Sequence, residues 1–435
     1  MRQPRLLVTP LLALCIGLAA APRSGHAEDL LQVYAQARTA DPVLAAADAA
    51  RSVVHEGITL ARAPLLPQAS ASASFEQTRP AGSDDNRARN VGASLNQAIV
   101  DVGALARLKS AHALADAQDA GYQAAEQALV VRVAQAYFNV LSAQDTLANV
   151  QANEDAYRQQ VEQAEQRYRN GLSAAVDVQQ ARAYHASAQA GSIAARQALA
   201  DAREALAEIT GVEPGRLKSL RDELPMAAPQ PADAQAWVDA AWAANPLLLA
   251  ERANLRAAEK NIGAARAAYL PTLSASLGIG RGAAWPLPLD NNGRNVTTVG
   301  LVLSVPLFSG GAQQAAVRQA LYQRDGALQT LEQRRRATAR DVLAQYRGVL
   351  AAIGQTTAQH TAVQAAEKAL ASTRVGQGLG TQTMTDLLLA IQTLTAAQNA
   401  YSQARHQFIL SRLQLQQAVG RVGESDLAAV NALLQ

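Results

Sequence analysis

Gln68-Ala-Ser-Ala-Ser-Ala-Ser-Phe-Glu-Gln-Thr78 alternates without a break. Ala69, Ala71, Ala73 and Phe75 fall on one side of an extended chain, and Ser70, Ser72, Ser74 and Glu76 on the other. A period of two specifies a β-strand with one apolar and one polar face. A partner at about 90–100 sets Val91, Ala93, Leu95 and Ile99 against Asn90, Ser94 and Asn96. Two more strands, at about 271–281 and 296–308, continue the pattern. Leu273, Ala275, Leu277 and Ile279 oppose Thr272, Ser274 and Ser276, while Val299, Leu301, Leu303, Val305 and Leu307 line the fourth apolar face. Strands of about ten residues with unlike faces suit a wall between lipid and water. Pro67 and Pro271 stand where a strand begins and cost no ladder bond. The rival reading, soluble hairpins packed on a core, finds no other segment apolar enough to cover both. Tyr269, Trp285 and Phe308 fall near strand ends, where an interfacial aromatic belt lies.

Four strands cannot close a barrel, since the smallest have about eight. An open sheet in lipid would leave its edge groups unpaired at several kcal/mol each, so several chains must share one wall. Two chains give a barrel filled by its own side chains, and three give twelve strands with room for a passage. The second arrangement is favoured by geometry.

Outward from the strands, the chain repeats itself. Asp41-Pro42 recurs as Asn245-Pro246 and Leu66-Pro67 as Leu270-Pro271, both displaced by 204 residues. Tyr137, Gly171, Asp177 and Gly211 recur as Tyr346, Gly380, Asp386 and Gly420, displaced by 209. The expected plan is a first repeat over 28–210, a proline-rich connector over 211–232, a second repeat over 233–420 and a C-terminal segment over 421–435. Each repeat reads as an amphipathic helix, two strands, a very long helix, a glycine turn and a second helix. Residues 102–168 and 312–375 contain no proline and would extend about 90–100 Å as straight helices. Ala111, Ala115, Ala125 and Ala134 allow close packing along the first of them. An aromatic content of 4% fits long helices better than a compact core. A tunnel projecting from a barrel accounts for these helices; a solid, adhesive coiled-coil stalk without a pore is the alternative, though it has no need of duplicated helical tips. A soluble periplasmic adaptor would lack the four lipid-compatible strands.

Residues 1–27 have the layout of a secretory signal peptide, with cleavage expected between Ala27 and Glu28. The uncleaved-anchor alternative needs a longer apolar run, and Leu14 before Cys15 argues against a lipid attachment. Removing this leader takes three of the 39 basic residues and none of the 36 acidic ones, leaving formal neutrality. No nucleic-acid partner is therefore expected, and Arg334-Arg335-Arg336 reads as a solvated helical face. The one cysteine leaves with the leader. His26, His55, His112, His185, His360 and His406 are scattered without ligand spacing and read as surface residues. Asp290-Asn-Asn-Gly293 lacks the downstream glutamate of a calcium loop and reads as a turn. Without a phosphate loop, energy must come from a partner. No enzymatic activity and no cofactor are expected.

Glu28-Asp-Leu-Leu-Gln-Val-Tyr34, Arg62-Ala-Pro-Leu-Leu-Pro-Gln68, Ala136-Tyr-Phe-Asn-Val-Leu141, Gly171-Leu-Ser-Ala-Ala-Val-Asp-Val178, Val305-Pro-Leu-Phe-Ser-Gly-Gly311 and Asp426-Leu-Ala-Ala-Val-Asn431 resemble signatures of the TolC family of outer-membrane efflux and secretion channels. The resemblance covers essentially the whole chain after the leader. It implies a mixed α and transmembrane β fold: four strands per chain in a shared twelve-stranded trimeric barrel, plus a long coiled-coil α-helical tunnel in the periplasm. It also implies a homotrimer in outer-membrane lipid, a periplasmic membrane-fusion adaptor, and an inner-membrane ABC or proton-driven pump joined through that adaptor. The cargo, protein or drug, stays open.

The same resemblance implies roles for single residues. Acidic rings narrow the family's periplasmic mouth; Asp386 takes the first ring position, and Leu389 stands where a second aspartate is expected. The family's latch runs from the position of Asp177 to an arginine and a tyrosine, which are here Gln382 and Gln377. Gln160 matches a further closing position. A mouth held less firmly, or by different contacts, is expected. Gly171, Leu172 and Gly380 would face the adaptor, although turn geometry alone also asks for glycine there. Asp386 and Asp177 have a local alternative as first-turn acids favoured by the helix dipole.

Overall fold

The first repeat runs α1 (Leu30–Ala40), α2 (Pro42–Arg62), β1 (Gln68–Thr78), β2 (Asn86–Val100), α3 (Val102–Arg169) and α4 (Ala175–Thr210). The second runs α5 (Ala234–Ala244), α6 (Pro246–Ala267), β3 (Thr272–Trp285), β4 (Asn295–Ser304), α7 (Ala312–Leu379) and α8 (Met384–Val419), and α9 (Glu424–Asn431) follows. This computed structural model describes residues 27–79, 81, 85–286, 288–289 and 291–435. The expected leader up to His26, with Cys15, and Asp290 of the outer turn lie outside the described residues. Among those residues no helix is long and apolar enough to cross a membrane.

The strands form one antiparallel sheet in the order β1-β2-β3-β4. Residues directly opposite in such a ladder share a face. Ala69 pairs with Leu95, Leu95 with Leu277 and Leu277 with Val299, so one apolar stripe crosses all four strands. The stripes beside it, Ala71-Ala93-Ile279-Thr297 and Gln97-Ala275-Leu301, lie on that same face. On the opposite face Ser70, Ser94, Gly278 and Thr298 are in register, and the Ser70 and Ser94 hydroxyls are 2.9 Å apart. Among the described residues nothing covers the apolar side: Val299, Leu301 and Leu303 are 78, 73 and 65% exposed.

Three strand limits differ from the expected ones. β2 begins at Asn86 and β3 reaches Trp285, because Arg87 still pairs with Trp285 across the ladder. β4 ends at Ser304 rather than about 308: Pro306 has no N–H to donate, so Val305 and Leu307 lie beyond the ladder. Within β2 the register shifts between Ala98 and Val100, so that Val100 meets Leu273 and Ile99 is the extra residue of a bulge. Simple alternation could not show that shift. Helices α1 and α5, too short to announce themselves by periodicity, were not part of the expected plan.

α3 and α7 have 68 residues each, about 100 Å at the helical rise. α4 and α8, of 36 residues, accompany the halves remote from the sheet. Near the sheet the helices pack in the sequence α2-α3-α6-α7, the order of the strands they adjoin. Ala115 and Ala134 are buried as close packing requires. Apolar side chains stay exposed at the margins, Val53 and Leu60 on α2 and Tyr322 on α7.

Between the two helical halves lies the main core, centred on Tyr137, Phe138, Leu129, Phe408, Ile409 and Leu427. The connector is bound into it. The Tyr137 hydroxyl donates to the Lys218 carbonyl at 2.9 Å, and its repeat mate Tyr346 donates to the Ala232 carbonyl at 2.6 Å. Leu217 forms a parallel bridge with Glu28, and Leu220 an antiparallel bridge with Leu434. His406 departs from the surface position expected of it. Its ring lies on Phe138 with centroids 5.5 Å apart, and burial pulls its pKa down to about 4.

Asp41 and Asn245 cap α2 and α6 by accepting from the Leu44 and Leu248 N–H groups. Each proline that follows, Pro42 or Pro246, occupies the first helical turn, where no N–H is needed. Gly420, at φ +85°, ends α8 against the second of these caps, and a Cβ there would lie 2.6 Å from the Asn245 Cα. Gly380, at φ +78°, has nothing within 4 Å of an added Cβ. Gly380→Ala should therefore cost only the left-handed backbone penalty of about 1–2 kcal/mol, whereas Gly420→Ala must also displace backbone and should cost clearly more. Thermal unfolding of the two purified variants in detergent checks the ranking.

Candidate functional site: the helical tips

The long hairpins turn at the end farthest from the sheet. Asn170 and Gly171 end the first, with Gly171 at φ +71° and the Leu172 N–H donating to the Arg167 carbonyl at 2.8 Å. The second turn is built alike: Gly380 is left-handed, and the Thr381 N–H donates to the Gly376 carbonyl at 2.9 Å. These bonds satisfy carbonyls that the helix ends would otherwise leave open. Leu172 and Leu379 project into solvent, 68 and 77% exposed, so the tips present apolar side chains.

A second core binds the two hairpins together, formed by Tyr157, Val178, Leu370, Met384, Leu387, Leu388 and Ile391. Two hydrogen bonds cross it. Tyr157 donates to the Leu388 carbonyl at 3.1 Å, and Thr385 Oγ1 donates to Gln180 Oε1 at 2.9 Å. Burial pushes the Tyr157 phenol up to about 12, so it donates throughout the physiological range.

Asp386 lies at the third position of α8 in a reciprocal box with Thr383. The Asp386 N–H donates to Thr383 Oγ1 at 3.1 Å, and the Thr383 N–H and hydroxyl donate back to the carboxylate at 2.9 and 2.7 Å. The hydroxyl bond, then the N–H bond, holds its pKa below the ordinary carboxylate value. Asp177 holds the matching place in α4 and accepts from the Ala174 N–H at 3.3 Å. Among the described residues no hydrogen bond joins Asp177 to Gln377 or Gln382. Gln377 is buried and Gln382 exposed on either side of the turn. Gln160 is buried with no hydrogen-bond partner for its Oε1 among the described residues. Leu389, one turn along α8 from Asp386, is 48% exposed. Sequence reasoning missed Gln180, Thr385, Tyr157 and Thr383. The Thr-x-x-Asp spacing signals the last as a helix start, but the cross-hairpin contacts depend on how α3, α4 and α8 meet. No group of residues able to hold a metal ion occurs among the described residues.

The sequence profile described as outer membrane efflux protein matches residues 33–212 and 237–421. The chain is 35% identical over 420 residues to outer membrane protein TolC of Vibrio cholerae, covering 94% of each chain. It is 30% identical over 341 residues to the alkaline protease secretion protein AprF of Pseudomonas aeruginosa, covering 78% of this chain and 71% of that one. A crystal structure of a membrane protein from Pseudomonas aeruginosa superposes with a TM-score of 0.79 at 21% identity, covering 92% of this chain and 93% of that one.

A depressed carboxylate stabilises its helix start fully above the ordinary carboxylate pKa and loses that contribution as pH falls through the lower, folded value. Thr383→Val removes the hydroxyl that sets the depression. The Asp386 titration should move upward, and amide protection over 384–387 should fall about fivefold, the worth of one cap. Hydrogen exchange at graded pH reads both.

Proposed function

The chain belongs to the outer membrane efflux protein family, and on that premise we propose that three copies close one barrel and one helical tunnel to form an exit duct. The duct is an outer-membrane channel of the kind that serves efflux and type I secretion, and its family is one of conduits. The observation that carries the closed assembly is the coincidence of two open margins. The sheet ends at β1 and β4, and the helical layer ends at α2 and α7, which adjoin those same strands. An apolar face looks outward and a face of serine, glycine and threonine looks the other way. Strand directions alternate, so β4 of one copy meets β1 of the next antiparallel, and three copies give twelve strands around water.

The first repeat corresponds to 28–210 and the second to 233–420, with 211–232 and 421–435 forming an equatorial belt around the main core. A periplasmic adaptor would dock on the apolar tips at Leu172 and Leu379, beside Gly171 and Gly380, and carry an ABC or proton-driven pump. Asp386 and its symmetry mates form the acidic ring of the mouth. Leu389 replaces a second ring, and the Asp177 latch gives way to the Thr385–Gln180 and Tyr157–Leu388 bonds, which tie the hairpins within one chain. The mouth is then held less tightly between chains than an aspartate–arginine link would hold it.

A rival stalk would share the helices but conduct nothing. Purified protein in planar bilayers should carry cation-selective current, with Asp386→Asn lowering the preference for cations and Leu389→Asp raising it. Absence of any current would exclude the duct; unchanged selectivity in both variants would reduce Asp386 to a helix cap.

A further inference from the structure

The four strands contain three basic residues, Arg87, Arg89 and Arg281. The register puts all three on the apolar face, since Arg87 is opposite Trp285, Arg89 opposite Phe75, and Arg281 opposite Val91. All three also lie at the end of the sheet remote from the helices and are exposed. The one acidic residue of the strands, Glu76, pairs with Ala88 on the other face. At the helix-proximal end the apolar face carries Leu273, Leu303, Val100 and Leu301, with no charge. Phe75 and Trp285 stand between the arginines, their rings 6.3 Å apart.

We propose that this rim binds the phosphate groups of lipid headgroups in the leaflet facing away from the helices. The inference rests on the barrel reading and goes beyond it. A chance arginine on a lipid-facing strand is costly near the bilayer centre and tolerated near its surface. Arg281 is eight residues from Leu273, or about 27 Å along the strand, which a tilt near 40° reduces to about 20 Å along the barrel axis. That distance sets the guanidinium groups at the upper border of a hydrocarbon band of about 25 Å. Two aromatic rings at the same level fit the interface. A guanidinium binds phosphate oxygens through two parallel N–H groups, which no other side chain matches. The charge is confined to one end, so it fits a bilayer whose leaflets differ, with anionic phosphorylated lipid on the outer side. The nearby Asp85 carboxylate is already engaged by Arg79, at 2.7 and 2.9 Å. Three chains would present nine such guanidinium groups around the rim.

The test uses the purified full-length oligomer in zwitterionic detergent, with bound lipid counted by native mass spectrometry. The probes are bisphosphorylated lipid A, the same glycolipid stripped of phosphate, and inorganic phosphate. Wild type should retain bisphosphorylated lipid A at least tenfold better than the stripped glycolipid, and millimolar inorganic phosphate should not displace it. The combined Arg87→Gln, Arg89→Gln, Arg281→Gln variant should lose that preference while keeping wild-type conductance. Equal retention of both glycolipids by wild type, or an unchanged preference in the variant, overturns the proposal. Displacement by inorganic phosphate overturns it too, because the rim would then be a site for free anions. If the variant does not assemble, the two-lipid comparison on wild type decides alone. A wild type without conductance would refute the barrel itself, whereas intact conductance without phosphate preference refutes only the rim.

Discussion

The backbone N–H and C=O groups along the outer edges of β1 and β4 have no ladder partner among the described residues. On a sheet in water such edges invite aggregation; in lipid they are not tolerated. In the proposed barrel the apolar face of this sheet, with Val299 and Leu301 more than two-thirds exposed, would lie against lipid. The proposed assembly answers that demand. Because each strand adjoins a helix, completing the sheet from neighbouring copies also brings α7 of one copy beside α2 of the next. One closure would satisfy backbone hydrogen bonds above and cover Tyr322, Val53 and Leu60 below.

Duplication supplies the parts, and divergence fits each to its place. Tyr137 and Tyr346 both fasten the connector by donating to a backbone carbonyl. The two helix caps solve one problem in different ways. Asn245 uses its amide to donate to the Ala418 carbonyl at 2.8 Å, next to the end of α8. Asp41, only 3% exposed, takes a two-pronged bond from Arg132 at 2.6 and 3.2 Å. Burial opposes its charge, but Arg132 and the Leu44 N–H outweigh burial and hold the carboxyl below its ordinary pKa. Deleting Arg132 would leave the Asp41 carboxylate with the Leu44 N–H but without its countercharge, a destabilising change.

The strands were legible because alternation survives in a sheet with one polar and one apolar face. Their limits were less so. The bulge at Ile99 and the extension to Trp285 depend on cross-strand partners, which a single strand's pattern does not contain. The long helices declared themselves by the absence of proline, and Gly171 and Gly380 marked their turns. At the tips, Asp386 and Asp177 could be located by the repeat, but their immediate bonds go to their own helix starts. The contacts that join the hairpins involve Gln180, Thr385 and Tyr157, ordinary polar residues whose meeting is a product of tertiary packing.

The central claim is that edges left open in one chain are closed by copies of itself. The mass of the assembly released from outer membranes in mild detergent measures this most directly. The account predicts three chains per particle, with no monomer surviving in the membrane fraction. A stable monomer or dimer in that fraction would contradict it, since neither could bring twelve strands into one wall.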